Sequence, residues 1–354
     1  MDSIQNRINA FVKLGAFLSQ FSQEKIEKKQ KIAHNELFFD GFKHQLKIAQ
    51  ENNSWFTKEN ILFAVSSWSS ALTKENLDAW LADNELPPVT PKRVAIVMAG
   101  NIPLVGFHDF LSVLISGHSV LVKQSSNDKH LLPFLAKYLE YVEAEFKGNI
   151  TFTEEKLEKF DAVIATGSNN TARYFEFYFK NKPNIIRKSR NSVAVLTGRE
   201  SEDDLQRLAE DVFTYFGLGC RSVSKLYVPR DYDFNNFFNG MFVKKEIINN
   251  AKYANNYDYN KAVYLMSLFD LLENGFLMIK EDESYASPIA TIFYEYYENE
   301  VDLKIKLHQD KEKIQCIVSK GFIENEIDFG ATQHPKLSDY ADGVNTLEFL
   351  SKLS

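Results

Sequence analysis

The chain has 354 residues, 44% hydrophobic and 25% charged, with a net charge of −7. That length can bury about two full cores, and the acidic balance argues against a general nucleic-acid binder, which needs a basic face. Two cysteines give no disulfide framework and imply a reducing, cytoplasmic compartment. The opening Met1-Asp2-Ser3-Ile4-Gln5 lacks the basic and apolar regions of a signal peptide.

Residues 1–90 read as mainly helical. Ile4, Ile8, Phe11, Val12 and Leu18 recur at near-helical spacing, and 23–31 reads as a charged helical stretch. Residues 53–58 read as a break. Thr57 then opens a helix with Asn60 as a weak capping-box partner, and Thr73 opens another. Pro87, Pro88 and Pro91 mark a linker. This region carries no catalytic constellation, and packing, a lid or a subunit contact is its expected role.

After Pro91 the pattern alternates. Strands are expected over 94–98, 119–123, 162–166 and 192–197, with helices between them. Pro103 stands near a helix start, and Leu104, Phe107, Leu111, Leu114 and Ile115 form its apolar stripe. Gly117 ends that helix. The apolar run 102–122 contains Pro103, His108, Asp109, Gly117 and His118, which argues against a membrane span. The β-α-β alternation predicts a parallel sheet of Rossmann type, with ligands at the carboxyl ends of its strands. The polar tips there are Gly100-Asn101, Lys123-Gln124-Ser125-Ser126 and Gly167-Ser168-Asn169-Asn170.

A helix is expected over 201–216, capped by Ser201 and Asp204. A strand near 225–228, a Tyr- and Asn-rich helical region over 234–273, and strands near 276–279, 289–293 and 314–318 make a second α/β unit. A short amphipathic helix over 347–353 closes the tail.

Within this second unit, between the helix and its first strand, stands Phe216-Gly217-Leu218-Gly219-Cys220-Arg221-Ser222. Glycines before a thiol let the backbone approach a reacting carbon, and neighbouring N–H groups can serve an oxyanion. The plainer reading of a lone cysteine is an inert residue packed at a turn. Cys316 lies inside an apolar run and reads as core. His108 and His118 read as packing residues, while His308 and His334 lack ligand-like partners at short spacing, so no metal is expected.

The order of a strand, Gly100-Asn101-Ile102-Pro103, a helix, Gly117, a strand ending at Lys123, a strand with Gly167-Ser168, and then Cys220 resembles the aldehyde dehydrogenase superfamily. Within it the chain resembles the acyl-CoA reductase branch that includes the fatty-acid reductases of bacterial luminescence. Tyr340-Ala341-Asp342-Gly343-Val344, before Leu347-Glu348-Phe349-Leu350, is similar to that branch as well. The resemblance covers about 90–354. It implies a dinucleotide-binding domain over 91–198, a catalytic domain over 199–330 carrying Cys220, and a C-terminal return and oligomerisation segment over 331–354. Cys220 would be the nucleophile and Asn101 the side-chain donor to the oxyanion. Lys123, with Ser125 and Ser126, would meet the adenosine ribose or its 2′-phosphate. Gly167 and Ser168 would meet the pyrophosphate, and Phe329, in Phe329-Gly330, would lie close to the nicotinamide.

Two departures from the family pattern sharpen the expectation. Aldehyde-oxidising members place a Glu after the strand matched here to 192–196, where this chain has Thr197-Gly198. Without that base a cysteine thioester survives longer, which suits reduction. NAD-preferring members often place a Glu where this chain has Ser126; without it the balance tilts to NADPH, with NADH still open. The expected activity is NADPH-dependent reduction of an acyl-CoA or other acyl thioester to an aldehyde. Acyl-phosphate reduction, aldehyde oxidation, or a non-catalytic nucleotide-binding partner are the alternatives. For the nicotinamide ribose, Glu295 and Glu298 both stand as candidates, and Arg221 or a helix N-terminus could activate the thiol. The relatives imply a homo-oligomer and an acyl-loading partner enzyme.

Overall fold

The computed structural model describes residues 3–84 and 90–353. The linker prolines Pro87 and Pro88 lie outside the described residues. The chain divides into two compact units, Met1–Lys188 with Lys336–Ser354, and Ser189–Pro335.

The first unit opens with helices α1 (Ser3–Leu18), α2 (Asn35–Asn52), α3 (Lys58–Ala71) and α4 (Lys74–Ala82). Thr57 and Thr73 cap α3 and α4, each hydroxyl accepting a backbone N–H at 3.2 Å from Asn60 and Asn76. Residues 23–31, expected to be helical, form instead an irregular loop closed by a bridge between Phe21 and Ile26. The charged run has no apolar face to bury, so nothing offsets the entropy of ordering it. The helix comes later, at α2, where Phe39, Phe42, Leu46 and Ala49 are buried. Nor do the first 84 residues stand apart. Phe11, Leu14, Phe17 and Phe42 share one apolar core with Val94, Ile96, Leu111 and Leu135.

Five strands follow: β1 (Arg93–Val97), β2 (Ser119–Lys123), β3 (Ile150–Phe152), β4 (Ala162–Thr166) and β5 (Asn184–Arg187). They form a parallel sheet in the order β3-β2-β1-β4-β5, with Val94 opposite both Val120 and Ala162. Helices α5 (Phe107–Ile115), α6 (Leu131–Val142) and α7 (Asn169–Phe179) connect them. Val94 and Ile96 face the large helical core. Ala95 faces the other way, joining Val163 and Ala165 beneath Phe175 and Phe179 of α7. Both faces are covered, as a parallel sheet requires. Helix α5 starts at Phe107 rather than at Pro103, because Leu104 takes a left-handed conformation (φ 57°) that breaks the turn. Its end matches expectation. Gly117 has φ 89°, and the N–H groups of Gly117 and His118 bond to the carbonyls of Leu114 and Val113.

The strand expected over 192–197 does not belong to this sheet. It is β6 (Asn191–Val195), and it pairs with β7 (Val223–Pro229) in the second unit. The last strand of the first sheet is the short β5, which periodicity alone does not reveal. The second sheet, of six strands, runs β11-β6-β7-β10-β9-β8. Its other strands are β8 (Leu272–Glu273), β9 (Met278–Glu281), β10 (Thr291–Tyr297) and β11 (Ile314–Val318), and all pair in parallel except β8 with β9. Helices α8 (Glu202–Phe213), α9 (Phe234–Met241), α10 (Ala251–Met266) and α11 (Glu300–Gln309) complete this unit. Cys316 is buried in β11.

The tail folds back into the first unit as α12 (Thr346–Ser351), with Leu347 and Leu350 fully buried. Arg187, at the end of β5, fastens it. The guanidinium donates to the Ala341 carbonyl at 2.7 Å, to Thr346 Oγ1 at 3.1 Å and to Asp109 Oδ1 at 2.6 Å. Among the described residues no helix is long and apolar enough to cross a membrane.

Candidate active site

In the first unit, β1 lies between β2 and β4, so the tips that follow these parallel strands share one edge of the sheet. Gly100-Asn101, Lys123 with Ser125 and Ser126, and Gly167-Ser168 are therefore brought together. The approach is close. A Cβ on Gly100 would stand 2.5 Å from Ser125 Cβ, so only glycine fits. Asn101 is exposed, and the turn that bears it is fixed from below by Asp128. That carboxylate is buried, and its Oδ2 accepts the N–H of Leu104 at 2.9 Å. Burial pushes the Asp128 carboxyl up to about 6.

Ser168 caps α7, its Oγ accepting the N–H of Thr171 at 3.3 Å. Gly167 precedes it where a Cβ would meet Thr171 and Phe175 at 3.0 Å. The unpaired N–H groups of such a helix start attract a phosphate. At the end of β2, Lys123 Nζ donates to the Glu155 carbonyl at 2.9 Å, and Ser126 is exposed. A capped helix start and an ammonium group along the carboxyl ends of these strands fit the anionic groups of a dinucleotide, while Gly100 and Gly167 let the tips pack closely against Ser125, Thr171 and Phe175.

In the second unit, α8 carries the expected cap. Ser201 Oγ accepts from Asp204 N, and Asp204 Oδ2 accepts from Ser201 N, each at 3.1 Å. Burial works against ionisation of Asp204, but Lys320 and the Ser201 donors outweigh it, leaving the carboxyl at about 2. The helix stops at Phe213, short of the expected 216. Tyr215 (φ 56°), Phe216 (φ 58°) and Gly217 (φ 73°) then run left-handed in succession. A left-handed non-glycine residue costs about 1–2 kcal/mol. Both aromatic side chains are buried, which offsets that strain.

The chain leaves this strained turn into a tight turn, Ser222 N bonding to Gly219 O at 3.0 Å, and β7 begins at Val223. Cys220 is exposed within it. Its carbonyl accepts from Ser192 Oγ at 2.9 Å. Arg221 donates from Nε to the Thr332 carbonyl at 2.6 Å, and Gln333 Nε2 donates to Ser222 Oγ at 3.3 Å. A strand, not a helix N-terminus, follows the sulfur. Phe329 is buried, and Gly330 beside it has φ 82°.

Several residues escape the sequence reading. Asp211, Thr332 and Asp128 are visible only as ordinary polar residues, because their partners lie far away in sequence. Glu200 is another. Its carboxylate folds back onto the tip at Thr197-Gly198, accepting Thr197 N at 2.6 Å, Thr197 Oγ1 at 2.9 Å and Gly198 N at 3.0 Å. The tip read as lacking a carboxylate thus has one, bound to three donors. Glu295 pairs with Lys225 at 2.7 Å and with Lys306, and Glu298 pairs with Arg230 at 2.5 Å. His108 and His118 pack as expected, their Nε2 atoms bonded to the carbonyls of Leu337 and Leu350.

A family model for acyl-CoA reductase (LuxC) matches residues 12–239. No curated protein matches the chain. Among solved structures, aldehyde dehydrogenase 21 from Physcomitrella patens is 13% identical, with a TM-score of 0.63 over 90% of this chain and 74% of that one. A benzaldehyde dehydrogenase from Corynebacterium glutamicum is 12% identical, with a TM-score of 0.58 over 83% and 72%. An aldehyde dehydrogenase from Bacillus cereus, solved with NAD+, is 11% identical, with a TM-score of 0.59 over 90% and 72%. At these identities the structures speak for the fold alone. The family match spans well over half of the sequence, and the chain belongs to the LuxC family of acyl-CoA reductases, with the aldehyde dehydrogenase fold.

Proposed function

We propose that the chain reduces an acyl thioester to an aldehyde with NADPH, through an acyl group carried on Cys220. The observation that carries this reading is Cys220 itself: exposed, on a turn reached through three left-handed residues, with its own carbonyl and both following residues held by distant partners. Strain of this kind persists where the surroundings over-determine it, and clusters at working sites.

In this mechanism the Cys220 sulfur forms a bond to the acyl carbon. The donor thiol leaves, taking the proton that Cys220 gave up. Asn101 and the Cys220 N–H hold the oxyanion; a well-placed donor of this kind contributes about 3–4 kcal/mol. The reduced nicotinamide supplies the hydride that brings the acyl carbon to the aldehyde level. Cys220 then departs as thiolate and the aldehyde is released. Lys123, Ser125 and Ser126 would hold the adenosine end of the cofactor, Gly167 and Ser168 its pyrophosphate, and Phe329 would serve the nicotinamide end. The ammonium of Lys123, with no carboxylate at 126, favours the 2′-phosphate. Hydrolytic aldehyde oxidation would need a carboxylate to activate water, and Glu200 is engaged with three donors.

The test is consumption of reduced nicotinamide with a panel of acyl-CoAs, comparing wild type with Cys220→Ala. Acyl-dependent turnover that disappears in the variant, and runs faster with NADPH than with NADH, is expected. Undiminished turnover in Cys220→Ala would refute the acyl-cysteine route.

A further inference from the structure

Asp211 lies on the last turn of α8, fully buried. Helix energetics disfavour a carboxylate there, because the C-terminal end of a helix carries partial negative charge. Burial adds to the cost and pushes the Asp211 carboxyl up. Its compensation comes from one segment far along the chain. Oδ2 accepts the N–H of Gly330 at 2.6 Å, and Oδ1 accepts both the N–H and the hydroxyl of Thr332, at 2.9 and 2.8 Å. Thr332 is itself fully buried, and its carbonyl receives Arg221 Nε. Its neighbour Gln333 donates from Nε2 to Ser222 Oγ at 3.3 Å. The bonds close a ring: α8, the 330–333 segment, Arg221 and Ser222, then Cys220 and the strained turn back to α8. All of these residues lie within the second unit.

We propose that Asp211 is a positioning residue for Cys220. It fixes Gly330 and Thr332, and through the Thr332 carbonyl it fixes Arg221, so that the thiol is presented from a rigid turn. The inference rests on Cys220 as the nucleophile. Asp211 itself touches no reacting atom.

The experiment measures the iodoacetamide alkylation rate of Cys220, read by mass spectrometry, together with kcat and KM for acyl-CoA and NADPH and a thermal melt. The full chain is used as wild type, Asp211→Asn and Thr332→Val. Asp211→Asn keeps an acceptor for Thr332 but turns a donor toward Gly330 N–H. Its alkylation rate and kcat are expected to fall together by between about ten- and a hundredfold, the scale set by a misplaced reacting group, with KM for NADPH changing far less than kcat. Thr332→Val removes only the hydroxyl bond and should fall between this variant and wild type. A variant that melts lower yet alkylates and turns over like wild type would make Asp211 merely structural and overturn the proposal. If Asp211→Asn does not fold, Thr332→Val decides alone, and unchanged alkylation and kcat there overturn it. Failure of the nucleophile reading has a separate signature: wild-type Cys220 alkylating no faster than a model thiol, with turnover surviving in Cys220→Ala. That outcome overturns both.

Discussion

Asp128 is pulled in two directions. Its Oδ2 holds the left-handed Leu104, while its buried Oδ1 has no partner among the described residues. Burial raises its carboxyl to about 6, and the one backbone N–H only partly opposes this. The sign follows from linkage. A carboxyl with a folded pKa above its unfolded value stabilises the fold while protonated, and that stability is lost as pH rises from about 4 through 6. A gap of about two pH units corresponds to ~3 kcal/mol. Asp128→Asn still accepts from Leu104 and cannot ionise. Its melting temperature is expected to exceed that of wild type by a few degrees at pH ~7.5, and to match it near pH ~4. An equal offset at both pH values would show that ionisation of Asp128 is not the cause.

At the scale of elements, the approach of α9 to α8 depends on Gly240. A Cβ there would stand 2.4 Å from Leu205 Cβ and 2.9 Å from its backbone carbon, which cannot swing aside. Gly240→Ala is therefore expected to cost about 1–3 kcal/mol, as overpacking does, despite the better helix propensity of alanine; an unchanged melt would mean that the helices separate freely. Signals carried by neighbours were legible in the sequence. The Ser201–Asp204 cap, the Thr57 and Thr73 caps, the Gly117 stop and the parallel alternation each rest on residues a few positions apart. Signals carried across the chain were not. Nothing near Pro103 reveals that Asp128 holds Leu104 left-handed and delays α5. The polar ends of β5 hide it, so the alternation points to β6 as the next strand of the first sheet, although β6 pairs with β7. Cys220 draws notice by its place after two glycines and Asn101 only through the family resemblance, whereas Asp211, Thr332 and Arg187 acquire meaning only from partners far away along the chain.

At the scale of the molecule, the first unit is made from two separated stretches of chain, and Arg187 joins them. Its buried pair with Asp109 makes it hard to replace. Removing one partner of such a pair strands a charge, at a cost of about 3–5 kcal/mol. Arg187→Met is expected to lower the melting temperature strongly, and adding Asp109→Asn should recover part of the loss. A double variant that melts as low as the sum of the two single losses would show that the pair is not coupled.

The division of the first unit also sets an order of events during synthesis. The second unit is contiguous over 189–335 and can close as soon as it leaves the ribosome. The first 188 residues must wait for α12, because the places that Leu347 and Leu350 fill stay empty until the tail emerges. At ~5–20 residues per second, that wait lasts roughly 10–30 s. Throughout it, the apolar core of the earlier-made half is incomplete, while the later-made half closes only near the end of the wait, so the nascent chain has greatest need of a chaperone at its older end.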